Sequence, residues 1–117
     1  MEGTSYEMLL NFNTMKSLTG EIKEIRATGG GATSDVWLQI KADILNTEIT
    51  ALSCKEVGAA GTTALAGLAV GGFEKIEDIV SKMVTVRKVF IPSKENSIIY
   101  SNLYKKYANL YGVLKKL

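Results

Sequence analysis

The apolar positions of this chain change period several times. Across 4–18, Tyr6, Met8, Leu9, Phe12 and Met15 recur at helical spacings, and Gly20 supplies a stop. The stretch 22–27, IKEIRA, reads as a short strand running into Gly29-Gly30-Gly31. Helical character returns at Thr33-Ser34-Asp35, which offers capping oxygens and an acidic first turn. Val36, Trp37, Ile40, Ile44 and Leu45 then repeat at three and four, predicting a helix with one apolar face. TEITAL, 47–52, is β-branched and alternating, a second strand. Ser53-Cys54-Lys55-Glu56 has the form of a capping box and opens an Ala/Gly-rich helix that ends around Gly71-Gly72. Ile76, Ile79, Val80, Met83 and Val84 mark a further short helix, and 86–91 reads as an extended stretch. Pro92-Ser93 begins a long final helix, with Tyr100, Leu103, Tyr104, Tyr107, Leu110, Tyr111 and Leu114 on one stripe.

The predicted order is helix, strand, helix, strand, helix, helix, helix, with a βαβ unit across 22–52. It carries a physical problem. Parallel sheets are normally larger and covered on both faces, whereas two strands leave open edges that invite pairing. Either strands from elsewhere complete the sheet or the count of two strands is wrong; the first is preferred, and the chain reads as part of a larger domain.

Composition narrows the chemistry. The chain has 117 residues, 46% hydrophobic and 22% charged, which is globular and fits one domain. The net charge of +2 gives no electrostatic argument for nucleic acid or a membrane surface. With no histidine, Ser-His-Asp and Cys-His nucleophile systems and His-ligated zinc are excluded. The lone Cys54 has no internal disulfide partner, and MEGTSYEMLL lacks the features of a signal peptide; the expected location is cytoplasmic. The uncharged run Val57–Phe73, with Gly67 and Gly71 as a GxxxG, is too short and glycine-rich for a membrane helix of about 20 residues. Small residues at these spacings equally allow close packing in a core.

A strand, a glycine turn and a helix N-terminus together make a phosphate or nucleotide site, because free N–H groups and absent side chains let an anionic ligand reach the backbone. As a dinucleotide fingerprint, Gly29-Gly30-Gly31-Ala32-Thr33-Ser34 is weak: serine stands where Gly or Ala belongs, and the acidic candidate, Glu48, falls at the start of the second strand. A tight turn without ligand is the alternative. The tyrosine stripe, flanked by Lys105, Lys106, Lys115 and Lys116, has the spacing of a core-facing helix, and lysines near a helix C-terminus suit its dipole.

Three blocks in order, TGGGATSDVWLQIKADIL, EVGAAGTTALAGLAVGGF and VFIPSKENSIIYSNLYKKYANLY, resemble the C-terminal part of the FGGY family of carbohydrate kinases. The resemblance covers most of the chain and is nearer to xylulokinase than to glycerol kinase. It implies an α/β fold, the C-terminal portion of an actin-like, ribonuclease-H-like ATPase domain, with residues 1–117 a single fragment of the nucleotide-binding domain. ATP and sugar would bind in a cleft between two domains, the sugar through a region not in this chain. Gly29, Gly30, Gly31, Ala32 and Ser34 would form the adenosine segment, lying against adenosine and its first phosphate. Trp37, Gln39 and Asp43 match the motif's continuation, with Trp37 equally a core residue and Gln39 and Asp43 equally polar contacts between helices. The Glu56–Ala66 block would be a small-residue hinge helix; Thr62 and Thr63 replace its usual alanines, and Glu56 is equally a capping-box member.

Phosphoryl transfer also needs a base, Mg2+ and donors around the γ-phosphate. In the family the base is an aspartate upstream of the matched region, whereas Asp35, Asp43 and Asp78 lie on predicted helices. No catalytic residue and no metal ligand are expected here, and the chain alone is expected to be inactive. Two other classes remain at this point: a free-standing nucleotide-binding or regulatory module that dimerises through its strand edges, and an interaction domain whose glycines form only a turn.

Overall fold

The computed structural model describes residues 1–114. In chain order it contains α1 (Glu2–Thr19), β1 (Ile25–Ala27), a 3-10 turn (Gly30–Ala32), α2 (Asp35–Leu45), β2 (Ile49–Leu52), α3 (Val57–Ala69), α4 (Ile76–Met83), β3 (Val86–Phe90) and α5 (Lys94–Leu114). β1 and β2 are parallel, with Ile25 opposite Ile49 and Ala27 opposite Ala51, as the βαβ reading requires.

The strand count needs correction. β3 is a third strand, antiparallel to β2 with Phe90 opposite Ile49 and Val89 opposite Thr50, so β2 lies in the middle of the sheet. Only Phe90 of β3 is buried. Its period-two signal is therefore faint, and pairing with β2 makes it a strand.

The core lies between this sheet and the helices α1 and α2. Phe12 of α1 shares one buried cluster with Leu38, Ala42 and Leu45 of α2, Ile49 and Ala51 of β2, and Phe90 of β3. α2 turns a slightly different face inward than its periodicity predicts. Leu38 and Ala42 are fully buried, while Val36 is exposed and Trp37 lies outside the core cluster. On α1, Tyr6 and Phe12 are buried and Met15 is exposed.

The stripe on α5 is a tyrosine cluster more than a core face. The Tyr6 ring lies 5.3 Å from Tyr107, 6.1 Å from Tyr104 and 6.4 Å from Tyr100, centroid to centroid. Leu103 and Leu110 are exposed. The side chains of Tyr111 and Leu114, and residues Lys115 and Lys116, lie outside the described part of the structure.

The capping box does not form. The Ser53 N–H donates to Thr85 O at 2.8 Å, and its hydroxyl lies 2.7 Å from Thr85 Oγ1, extending the β2–β3 pairing past Leu52. The strand keeps Ser53, so α3 begins only at Val57, and Glu56 makes no side-chain cap. The GxxxG also resolves differently: α3 ends at Ala69, and Gly71 turns the chain with φ +70°. Gly67 sits beneath the Phe73 ring, where an added Cβ would come within 3.0 Å. Among the described residues no helix is long and apolar enough to cross a membrane.

The radius of gyration is 17.8 Å, against about 13 Å for a compact chain of this size. α3 and α4 pack on each other around Ala64 and Ile79 and touch little else.

Candidate functional site

β1 delivers the chain into the glycine turn and α2 carries it away. The three glycines are there for different reasons. Gly29 has φ +80° and ψ −170°, a region open to glycine alone, so the turn itself requires it. Gly31 faces Trp37, whose ring would meet an added Cβ at 3.4 Å. Gly30 has no positive φ and nothing within 4 Å of where its Cβ would stand. Neither backbone nor packing accounts for it.

The expected residues Gly29, Gly30, Gly31, Ala32 and Ser34 come together in this one turn. Ala32 N donates to Gly29 O at 3.0 Å and Thr33 N to Gly30 O at 3.2 Å, closing the 3-10 geometry. Ser34 caps α2, its Oγ accepting from Trp37 N at 3.3 Å, as its sequence position predicts. The first N–H groups of each helical turn have no intrahelical partner, and two such turns follow one another here.

The turn separates two cavities. On one side a cleft of 210 Å³ is lined by Gly29, Ala32 and Thr33 together with Ser53, Lys55 and Arg87. On the other a cavity of 250 Å³ is lined by Ala27, Thr28, Gly31, Ala32 and Lys41. Lys41 lies 3.9 Å over the Trp37 ring, and burial pushes its ammonium pKa down. Thr28 Oγ1 donates to Cys54 O at 2.7 Å, holding the end of β1 to the loop after β2.

Residues that sequence reasoning missed complete the electrostatics. Lys88 Nζ donates to Asp35 Oδ2 at 2.9 Å, and Arg87 Nη1 to Asp35 Oδ1 at 2.8 Å. These two hydrogen bonds, Lys88's first, hold the Asp35 carboxyl below its ordinary range. Arg87 Nη2 also donates to Ala32 O at 3.0 Å. No local signal places β3 beside the turn, because these contacts span more than fifty residues of sequence.

Gln39 and Asp43 serve as contacts between elements. Asp43 is 3% exposed and accepts from Gln39 Nε2, Ser93 N and Asn96 Nδ2 at 2.9, 2.8 and 2.9 Å, anchoring the start of α5. Gln39 Nε2 also donates to Ile91 O at 2.9 Å. Among the described residues no group of three His, Cys, Asp or Glu side chains converges on a common point that could hold a metal ion.

A βαβ unit with a glycine turn after its first strand, extended by an antiparallel third strand, defines an α/β domain, and comparison with known proteins narrows this to one family. Residues 1–70 match the FGGY family of carbohydrate kinases, C-terminal domain. The xylulose kinase of Staphylococcus epidermidis is 35% identical over the whole chain, which spans 24% of that protein. The glycerol kinase of Thermococcus gammatolerans is 43% identical over 69% of the chain and 16% of its own length. The crystal structure of gluconate kinase from Lactobacillus acidophilus superposes on 97% of the chain and 23% of that protein with a TM-score of 0.82 at 25% identity. The chain belongs to the FGGY family of carbohydrate kinases, and its fold is the C-terminal portion of their actin-like α/β architecture. It spans about a quarter of the length of the xylulose and gluconate kinases it matches.

Proposed function

We propose that this chain supplies the adenosine-binding segment of an ATP-dependent carbohydrate kinase, which transfers the γ-phosphate of ATP to a sugar hydroxyl. The observation that carries the reading is Gly30, a glycine that neither the backbone nor any neighbour requires. A close-lying ligand gives it a reason. Gly29 and Gly31 then shape the turn, Ala32 joins them against the adenosine and first phosphate, and Ser34 sets the start of α2 beside them. The helical N–H groups and the cations Lys55 and Arg87 suit a phosphate-bearing partner.

ATP is the nucleotide this reading requires, with Mg2+ held by residues outside this chain. Residues 1–117 are then one fragment of the nucleotide-binding domain, and α3, loosely attached and rich in small residues, is its hinge helix. The relatives are named for xylulose, glycerol and gluconate. All three match this same chain although their names differ in substrate, so sugar selection is assigned to other parts of the enzyme. The chain by itself is expected to turn over no ATP in the presence of sugar. A reducing, cytoplasmic setting suits the single free Cys54. The outer edges of β1 and β3 await further strands of the same sheet; pairing between two copies of the isolated chain, read from its mass in solution, is the other way to cover them.

Gly30→Ala tests the reading. The substitution is expected to leave the chain folded, with an unfolding midpoint unchanged or slightly raised, while weakening ATP binding, followed by amide chemical shifts of Gly29–Ser34, about tenfold or more, as for loss of close ligand approach. Unaltered ATP binding by a folded Gly30→Ala chain, or wild-type shifts unaffected by ATP, would leave the glycines as a turn only.

A further inference from the structure

We infer that Arg87 is a positioning residue for the glycine turn and, with Lys88, offsets the charge of Asp35 so that an anionic ligand is admitted at the start of α2; this rests on the nucleotide reading above. Arg87 reaches from β3 to two acceptors at once, Ala32 O at 3.0 Å and Asp35 Oδ1 at 2.8 Å. Ala32 is 5% exposed; its N–H closes the 3-10 turn on Gly29 O, and its carbonyl, at the end of that turn, accepts from Arg87 Nη2. The planar fork of a guanidinium fixes the angle between two acceptors as an ammonium does not. One side chain therefore sets the turn relative to α2 and ties both to the sheet.

The charge argument is separate. An acidic residue in the first turn of α2 favours the helix dipole, but it would repel a phosphate arriving at the same turn. Lys88 occupies the second Asp35 oxygen at 2.9 Å. One carboxylate between two cations leaves a net positive group beside the cleft that Arg87 also lines.

Four forms of the chain separate these roles: wild type, Arg87→Ala, Arg87→Lys, and Arg87→Ala combined with Asp35→Asn. Circular dichroism melts establish that each is folded. Without ligand, hydrogen exchange at the Ala32–Ser34 amides is expected to quicken about tenfold in both Arg87 single variants, the mark of local opening. With ligand, Arg87→Ala is expected to weaken MgATP about tenfold and uncharged adenosine about twofold, as for a lost charge pairing. Arg87→Lys keeps most of the MgATP affinity, and Asp35→Asn in the Arg87→Ala chain recovers most of what was lost.

Unchanged exchange in a folded Arg87→Ala chain overturns the positioning role. Equal losses for MgATP and adenosine, or no recovery by Asp35→Asn, overturn the charge offset. If the wild type binds neither ligand, the nucleotide reading fails and the charge offset fails with it, while the exchange rates still decide whether Arg87 positions the turn.

Discussion

Asp43 joins α2 to the start of α5 through one buried carboxylate with three donors. Replacing it by alanine leaves the half-buried Ser93 N–H without its acceptor. Asp43→Ala is expected to cost about 1.5–3 kcal/mol of stability, the range for a lost hydrogen bond to a charged group, read from urea unfolding. Asp35 gives the pH dependence. Its folded pKa is depressed by Lys88 and Arg87, so its stabilising contribution is present above the ordinary aspartate range and lost as pH falls through the lower folded value. Carboxyl chemical shifts should titrate below an ordinary aspartate, and Lys88→Ala with Arg87→Ala should return them upward. At this scale the sequence is informative for the turn residues and Ser34, whose roles are local. It is silent on Asp43's partners Ser93 and Asn96 and on Arg87, because those contacts join chain segments about fifty residues apart.

Among the elements, α3 is a helix in spite of its sequence. Gly58, Gly61 and Gly67 each lower its intrinsic propensity, and only Ala64 is buried. Gly61 meets nothing within 4 Å. Gly61→Ala is therefore expected to raise stability by about 0.5–1 kcal/mol, the helical preference of alanine over glycine, measured by thermal unfolding. The helices α1, α2, α4 and α5 are all legible from spacing and stops, because each has an apolar face or a marked boundary. β3 is only half legible. An edge strand with one inward residue carries little alternation, and its partner supplies the evidence. The supposed capping box shows the reverse error: Ser53 had a sound local pattern, and pairing with Thr85 overrode it.

Seen whole, the molecule has a well-packed body and a loosely attached arm. α1, α2, the sheet and the start of α5 share buried contacts, whereas α3 and α4 rest on one another with Leu65, Val70 and Val80 exposed. Hydrogen exchange is expected to proceed through local opening in α3 and α4 well before α2 and β2, whose protection should approach the global unfolding limit. Equal protection across both would contradict this division. The open outer edges of β1 and β3, and the elongated shape, suit a segment that spans a quarter of its relatives' length.

The sequence by itself determined the helices, the parallel βαβ unit, the glycine turn with its Ser34 cap, and the resemblance to carbohydrate kinases that the family match bears out. These follow from neighbours in the chain, where periodicity, capping and motif order act over a few residues. The tertiary structure alone decided that β3 closes the second edge of β2, that Arg87 and Lys88 flank the turn, and that Asp43 holds α5. It also distinguished the three glycines, one required by φ, one facing Trp37 and one by nothing in the fold. Those are matters of which distant residues meet in space, and no local pattern records them.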